Sequence, residues 1–337
     1  MKKIKKVLVA TNHLAGIGGS ELYTYDLIKA LNVRPDVEVE YFTFDKGLIS
    51  EKIEEELRIP FMNKKRYDLI FANHNSSVKE LFSKAPIIQI CHGTVPELEH
   101  PSPLADYHVA ISDEISDHLL NLGYANDVIL NGIDVQTKKP VRPLNKTLQS
   151  VLSLCQSDKA NAKLRAICEA KGLHFQAYNK QKNPTISIEQ KINLFDLVVG
   201  IGRSIYDAMA CGRPSLIYDH RGYNGNKADG YLRPENFSKY VQMNCSGRYL
   251  NRQYQEKELI RELEKYNPED GEKLRNIALA QLNAYKMVNQ LLNIEEQLNW
   301  RNRFNKWKRF TEHTKLVKHA FFYKKLYAFT KNEYFNR

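Results

Sequence analysis

Cysteine is scarce in this chain, and the pattern of the few cysteines excludes two kinds of site. The 337 residues include five cysteines, an odd number, and no two of them form a CxxC pair. This spacing excludes a disulfide framework and a CxxC zinc site, and it is typical of reduced thiols in a cytoplasm. Acidic residues form no cluster that indicates a metal site. We therefore expect that the protein needs neither a metal nor another cofactor.

Long apolar runs are also absent. No segment approaches the roughly 18 apolar residues that a membrane-spanning helix needs. The basic start, MKKIKK, resembles the first part of a signal peptide, but the apolar run after it covers only residues 7–10. This run is too short for a secretory signal, and we interpret it as the first strand of a globular domain. We therefore expect a cytoplasmic protein.

The Gly-x-Gly-x-x-Gly spacing of dinucleotide-binding oxidoreductases is missing as well, because the first glycine-rich loop is GIGG at 16–19.

Strand and helix signals alternate along the chain. The predicted strands cover 6–11, 37–44, 67–73, 86–91, 107–112 and 128–130 in the first part, and 150–154, 174–178, 194–199 and 215–218 in the second. Strands that alternate with helices predict an α/β fold, in which helices cover both faces of parallel sheets.

A polar segment with two prolines, 136–146, separates the two α/β parts and predicts a hinge between two domains. We expect a first Rossmann-like domain over 1–136, a second over 147–290, and a helical tail over 291–337. One possibility for this tail is that it crosses back to the first domain. Ligands of such sheets bind at the carboxyl ends of the strands, so the expected site is a cleft between the domains.

The most informative motif is VVGIGRSIYDAMACGRP at 198–214. A buried strand leads through Gly200 and Gly202 into a short helix that is predicted to start at Ser204. The backbone amides and the dipole at such a helix start attract phosphate. The guanidinium of Arg203 lies in the turn and suits a phosphate in shape and charge. The alternative for Arg203 is a surface ion pair.

Three other loops follow predicted strands. The loop after the first strand contains His13, Gly18 and Gly19, and its glycines permit close approach of a ligand. His92 and Gly93 follow the fourth strand, where a histidine either hydrogen-bonds a substrate hydroxyl or serves only the structure. The sequence NGID at 131–134 follows the last strand of the first part and is, on its own, an ordinary turn.

Together and in this order, these motifs resemble those of the retaining glycosyltransferases of family 4, which have the two-domain GT-B fold. The resemblance covers about residues 7–218. It rests on the glycine loop, on HG at 92–93, VAISDE at 109–114, NGID at 131–134 and DAMACGRP at 207–214. It implies two Rossmann-like domains that face each other across a cleft, with a C-terminal helical extension. The sequence GIGRS at 200–204 is similar to that of a GxGRS subgroup of these enzymes.

The resemblance assigns roles to individual residues. It implies donor binding by eight residues: Gly18, Gly19, Lys159, Gly200, Gly202, Arg203, Ser204 and Asp207. It implies acceptor binding by His13, His92 and Gly93. Catalysis is assigned to His92, Lys159 and Arg203. The positive charges of Lys159 and Arg203 stabilise the leaving diphosphate.

The sequence departs from the family pattern in three places. Val199 stands where the family has the first of two glutamates, and Asp207 replaces the second, which binds ribose. The arginine that the family places after the first strand of the second domain is missing; Lys159 fills the neighbouring lysine role, and Arg203 is the candidate replacement. The alternative for Asp207 is a capping box with Ser204.

The resemblance implies transfer of a sugar, with retention of configuration, from a nucleotide-diphosphate sugar to a glycan or lipid-linked acceptor in bacterial surface polysaccharide synthesis. Two other functions stay open. One is a nucleotide-sugar epimerase on a related fold, which needs carboxylates in the cleft, and the sequence places none there clearly. The other is an inactive GT-B module that binds a glycan or a membrane.

Most of the net charge of +11 belongs to the tail. Residues 301–337 hold eleven Lys and Arg against two Glu, with aromatic residues between them. Basic helices with aromatic residues bind anionic membrane surfaces, which predicts a peripheral enzyme on the inner face of the plasma membrane. The residues assigned to this contact are Trp307, Lys308, Arg309, Lys324 and Lys325. One alternative is that the tail packs on the first domain. The other is that it binds nucleic acid, and the nearly neutral remainder of the chain disfavours this second alternative.

Overall fold

The computed structural model describes residues 4–179, 182, 185, 187–222 and 225–298, which form two separate β-sheets. The first sheet is parallel and has the strand order β2-β1-β3-β4-β5-β6. Its strands are β1 (Lys5–Ala10), β2 (Val37–Phe42), β3 (Leu69–Ala72), β4 (Ile87–Cys91), β5 (Tyr107–Ala110) and β6 (Asn126–Val128). Residues 7–10 are fully buried, because helices cover both faces of this sheet.

The second sheet has the order β11-β10-β9-β7-β8. Its strands are β7 (Ser150–Ser153), β8 (His174–Ala177), β9 (Leu197–Gly200), β10 (Ser215–Ile217) and β11 (Gly230–Tyr231). All neighbours are parallel except β10 and β11. The sequence predicts the first four strands but not β11, because two residues are too few to show an alternating pattern. The two sheets confirm the predicted α/β fold class.

Eleven α-helices lie in the described ranges: α1 (Gly19–Asn32), α2 (Leu48–Glu55), α3 (Asn75–Leu81), α4 (Asp113–Asn121), α5 (Asp158–Ala170), α6 (Ile188–Ile192), α7 (Arg203–Ala210), α8 (Phe237–Tyr240), α9 (Glu256–Leu263), α10 (Glu269–Gln281) and α11 (Ala284–Gln297). Short 3₁₀ helices occur at Glu97–Glu99, Pro234–Asn236 and Val241–Met243. The helix α4 begins directly after its N-cap residue, Ser112. Gly18 is the N-cap residue of α1, and Ser20 lies in the first turn of this helix.

The connection between the sheets, residues 129–149, contains neither a helix nor a strand of more than one residue. It is nevertheless held firmly on the second domain. The Arg142 Nε donates to the carbonyl oxygen of Asn193 at 2.7 Å, and the Arg275 Nη2 donates to that of Val135 at 2.9 Å. Partly buried hydrogen bonds to α10 and to the segment before β9 thus fix this connection on the second domain.

The chain returns to the first domain at α11. The backbone N–H of Ala284 donates to the carbonyl oxygen of Ile133 at 3.0 Å, and Met287, Val288 and Leu291 then join the hydrophobic core of the first domain. A Cβ atom at Gly132 would lie 2.7 Å from the Cα of Ala284, so only glycine fits at this crossing. The return begins at Ala284, earlier than the tail boundary expected at 291. Residues 299–337, with all five residues assigned to membrane contact, lie outside the described residues.

Candidate functional site

The carboxyl ends of the strands of both sheets face a cavity of about 620 Å³ that lies between the two domains. Pockets for small molecules typically span about 300–1,000 Å³. Nine of the residues that the sequence assigns to a site line this cavity: His13, Gly18, Gly19, His92, Gly93, Gly202, Arg203, Ser204 and Asp207. The motifs that lie far apart in the sequence are thus brought to one place.

Two assigned residues do not line the cavity. Gly200 is buried in β9, where a Cβ atom would lie 2.9 Å from the Cβ of Ser204. It therefore serves the close packing of β9 against α7. Lys159 is exposed near the start of α5. Burial lowers the pKa of His220, and the positive charges of Lys159 and Lys163 add to this effect.

Three histidines form the first domain's side of the cavity, and each follows a different strand. His13 follows β1 and stacks on His74 with 5.5 Å between ring centroids. His74 follows β3, and its Nδ1 accepts a hydrogen bond from the backbone N–H of Asn12 at 3.1 Å. His92 follows β4, and its Nε2 lies 3.1 Å from the Oδ1 of Asn73.

The two inner histidines are neutral at physiological pH. Burial and the nearby His13 lower the pKa of His74 to about 4. Burial, with His74 and Arg203 close by, lowers the pKa of His92 to about 3. Because Asn12 can only donate to the Nδ1 of His74, that histidine carries its proton on Nε2. A neutral imidazole both donates and accepts, so this wall of the cavity suits the hydroxyl groups of a sugar.

Two carboxylates also lie in the first domain's part of the cavity. Glu21 accepts a hydrogen bond from the hydroxyl of Ser20 at 2.8 Å and lies 3.3 Å from the Nε2 of His13. Glu99 belongs to the 3₁₀ helix after the His92–Gly93 loop. Burial raises the pKa of Glu99, and the negative charge of Glu21 adds to this effect. The sequence did not clearly place these two carboxylates in the cleft, because the position of Glu99 depends on the 3₁₀ helix that turns it back towards Gly93.

The start of α7 forms the second domain's side. Gly202 caps α7 with a φ of +58°, a left-handed conformation that favours glycine. Its N–H donates to the carbonyl oxygen of Cys245 at 2.9 Å, which fixes the helix start against the loop that contains Asn244, Ser246 and Arg248. The first turn of a helix leaves backbone amides without a partner inside the helix. These amides and the positive end of the helix dipole make this wall suited to an anion.

Arg203, in the first turn of α7, is not a surface residue. Its side chain is 9% exposed and forms an ion pair with Asp26 of α1, across the domain interface. Lys138 of the connecting segment lies 3.6 Å from Asp26 and 3.8 Å from Asp207, and Arg203 also lies 3.8 Å from Asp207. We call Asp26, Lys138, Arg203 and Asp207 the interdomain ion cluster. It holds two positive and two negative charges, all nearly buried.

Asp207 does not cap α7. The helix begins at Arg203, so Asp207 is its fifth residue, and the structure excludes the capping box with Ser204. Asp207 lines the cavity, but its Oδ1 accepts no hydrogen bond from any described residue. Burial opposes the charge of Lys138, but Asp26 and Asp207 outweigh burial and hold the pKa of Lys138 above its ordinary value. The sequence could not show this cluster, because its members come from three distant segments.

Two further arginines line the cavity that are not among the residues that the sequence assigns to the site. Arg221 follows β10 and pairs with Asp219 at 2.6 Å. Arg248 pairs with Glu114 of α4, and this is a second ion pair between the domains. Their side chains are 28% and 31% exposed, so both are more accessible from the cavity than Arg203.

Comparison with solved structures identifies the fold. The S. aureus MnaA–UDP complex superimposes with a TM-score of 0.51 and 13% identity over 88% of this chain and 97% of that one. For a Listeria monocytogenes protein, provisionally assigned as a UDP-N-acetylglucosamine 2-epimerase, the TM-score is 0.53 and the identity 14%, over 86% of this chain and 95% of that one. For a mutant of the Thermobaculum terrenum O-GlcNAc transferase, the TM-score is 0.51 and the identity 10%, over 92% of this chain and 69% of that one. No protein-family model matches the sequence, and no curated protein matches it.

The chain therefore has the GT-B fold, in which two Rossmann-like domains face each other across a cleft. Identities of this size show the fold alone. Within the described ranges, no helix has the length and apolar character needed to cross a membrane. Among the same residues, no three His, Cys, Asp or Glu side chains group as metal ligands do. That the protein works without a metal stays a prediction.

Proposed function

We propose that this chain is an enzyme that transfers a sugar, with retention of configuration, from a nucleoside-diphosphate sugar to a glycan or lipid-linked acceptor. The observation that carries the proposal is the asymmetry of the cavity. A helix start and three arginines form one side, and three histidines form the other. Of two solved structures that share the fold, one is a complex with UDP and the other is an O-GlcNAc transferase, which supports UDP as the nucleotide.

The donor is assigned to the second domain. Its diphosphate lies at the start of α7, beside Gly202 and Ser204, where the backbone amides and the helix dipole favour negative charge. Arg221 and Arg248 are the more accessible cations, and Arg203 adds its charge from the first turn of α7, where it is paired with Asp26. The assignment of Lys159 to the diphosphate has only the sequence motif in its support.

The proposed reaction requires charge stabilisation more than a catalytic base. The bond between the anomeric carbon and the diphosphate oxygen breaks, and the negative charge that grows on the diphosphate is stabilised by the α7 start. The oxygen of the acceptor hydroxyl forms the new bond on the same face. Its proton passes to the departing phosphate oxygen. His92, neutral and fixed by Asn73, hydrogen-bonds sugar hydroxyls in this arrangement.

The presence of Glu21 and Glu99 in the cavity favours a second candidate function, a nucleotide-sugar epimerase. Epimerisation removes a proton from a sugar carbon and returns one on the opposite face, which needs acid and base groups beside the sugar. A carboxyl group with a raised pKa and a neighbouring carboxylate meet this need. The Listeria monocytogenes structure shares the fold and is consistent with this candidate.

Proton NMR of the protein with UDP-glucose, UDP-galactose or UDP-N-acetylglucosamine separates the two functions. For a transferase we expect free UDP from at least one donor, at a rate that rises when acceptor sugars are added, with the α anomer as the product. An epimerase forms a new UDP-sugar and releases no UDP. The same donor incubated without protein is the control. A new UDP-sugar without free UDP, or no change in any donor, would contradict the transferase proposal.

We also propose that the basic tail, 301–337, brings the enzyme to the anionic inner face of the plasma membrane, where a lipid-linked acceptor is found. Its support is the nine net positive charges and the aromatic residues between them.

A further inference from the structure

The two sides of the cavity carry opposite types of charged side chain. The part that belongs to the second domain is lined by Arg203, Arg221 and Arg248, with Asp207 as its only lining carboxylate among the described residues. The part that belongs to the first domain is lined by Glu21 and Glu99 and, within the described ranges, by no lysine or arginine. An anionic group placed beside Glu21 and Glu99 meets two carboxylates, and the described residues of the first domain place no lysine or arginine in the cavity to offset them.

Glu99 differs from the other charged residues of the cavity in its partners. Each arginine pairs with a carboxylate: Arg203 with Asp26, Arg221 with Asp219, and Arg248 with Glu114. Glu21 accepts from Ser20 and lies close to His13. The carboxyl group of Glu99 accepts no hydrogen bond and forms no ion pair with any residue that the structure describes. A partly buried carboxyl group without a hydrogen-bond partner in the protein can accept hydrogen bonds from a ligand in the cavity.

The position of Glu99 directs its carboxyl group to the acceptor side. A Cβ atom at Gly93 would overlap the Oε2 of Glu99, so this carboxyl oxygen lies directly against the backbone of the His92–Gly93 loop. His92, from the same loop, faces the cavity beside His74. The first domain thus presents two neutral imidazoles, His74 and His92, after neighbouring strands, and the carboxyl group of Glu99 lies next to the loop of His92.

We propose that Glu99 determines acceptor specificity by binding a hydroxyl or ammonium group of a sugar ring that carries no phosphate or carboxylate. This inference rests on the proposed transferase function and adds the chemical class of the acceptor to it. The hydrogen bonds that Glu99 accepts from the ring supply its missing partner. Charge repulsion by Glu21 and Glu99 excludes an anionic ring, and an amino group on the ring strengthens binding.

The test compares three probes of similar size: glucosamine, glucose and glucuronate. Their affinities for the UDP-loaded full chain are measured by NMR titration at pH 7. For the wild type we expect glucosamine to bind more tightly than glucose, and glucuronate about tenfold more weakly than glucose. For Glu99→Gln we expect the advantage of glucosamine to disappear and the penalty on glucuronate to shrink.

The matched control is Glu97→Gln. Glu97 belongs to the same 3₁₀ helix but is exposed and does not line the cavity, so the order of the three probes should not change. Gly93→Ala provides a second variant, because its Cβ displaces the Glu99 carboxyl group without removing it. It should weaken glucosamine as Glu99→Gln does.

Three results would overturn the inference: equal binding of glucuronate and glucose by the wild type, an unchanged order of probes in Glu99→Gln, or no binding of any probe. The titration of UDP into the same samples keeps the two proposals apart. Absence of UDP binding contradicts the proposed function, whereas UDP binding with an unchanged probe order contradicts only the role of Glu99.

Discussion

Replacement of Arg203 by alanine is expected to lower the free energy of unfolding by about 3 kcal/mol, the cost typical of breaking a buried ion pair. The change leaves the carboxylates of Asp26 and Asp207 buried with Lys138 as their only cation within the described cluster. The net charge of the interdomain ion cluster becomes negative. Urea unfolding followed by circular dichroism measures the loss. Arg233→Ala is the control, since Arg233 is exposed and its nearest carboxylate oxygen is 4.0 Å away.

The double variant Arg203→Ala/Asp26→Ala separates the structural role of Arg203 from its proposed contribution to donor binding. Removing one positive and one negative charge restores a neutral cluster, so we expect most of the lost stability to return. The affinity for UDP should stay about tenfold or more below that of the wild type, because the charge at the α7 start is still missing. Recovery of affinity together with stability would show that Arg203 acts only by positioning the domains.

Replacement of Gly247 by alanine is expected to have a comparably large effect. Gly247 has a φ of +87°, and a Cβ atom there would overlap the backbone carbonyl oxygen of Lys227 and lie 2.9 Å from the Cα of Ala228. The strained conformation alone costs about 1–2 kcal/mol. Since neither backbone segment is a flexible side chain that can move aside, we expect a loss of at least about 3 kcal/mol in total. The loop that presents Asn244, Ser246 and Arg248 should shift, and UDP affinity should fall with it.

Gly123→Ala is the matched control for this prediction. Gly123 has a φ of +82°, close to that of Gly247, but nothing lies within 4 Å of the position of its Cβ atom. This variant therefore reports the cost of the left-handed conformation alone. Thermal unfolding and UDP titration of both variants give the comparison. Equal losses of stability in the two variants would mean that the Gly247 loop is not packed as the structure shows.

Elements with strong local patterns could be predicted from the sequence. The fully buried apolar run before Gly200 and the glycine-rich turn after it indicated β9, α7 and a helix start at the cleft, and the structure has all three. The rule that sites lie at the carboxyl ends of strands also placed His13 and His92 correctly at the cavity. His74 was overlooked, although it directly follows a predicted strand and the same rule would have found it.

Other features depend on contacts that no local pattern carries. The pair of Arg203 and Asp26 joins residues 177 positions apart, and both residue types are common on surfaces. The position of Glu99 depends on how a one-turn 3₁₀ helix folds back on Gly93. Lys159 follows β7 at the distance that suggested a phosphate ligand. It is exposed near the start of α5, and its role at the diphosphate stays a prediction.

Titration of UDP into the wild type and into Ser204→Glu is the most direct test of the central claim, that the start of α7 binds the diphosphate of a nucleotide sugar. Ser204 is the second residue of α7 and lines the cavity. A glutamate there is favourable for the helix dipole, so the melting temperature should not fall, but its negative charge repels the diphosphate. The account predicts one UDP site per wild-type chain and an affinity about 100-fold lower in the variant. Equal affinity in the two proteins, or no binding of UDP by the wild type, would contradict it.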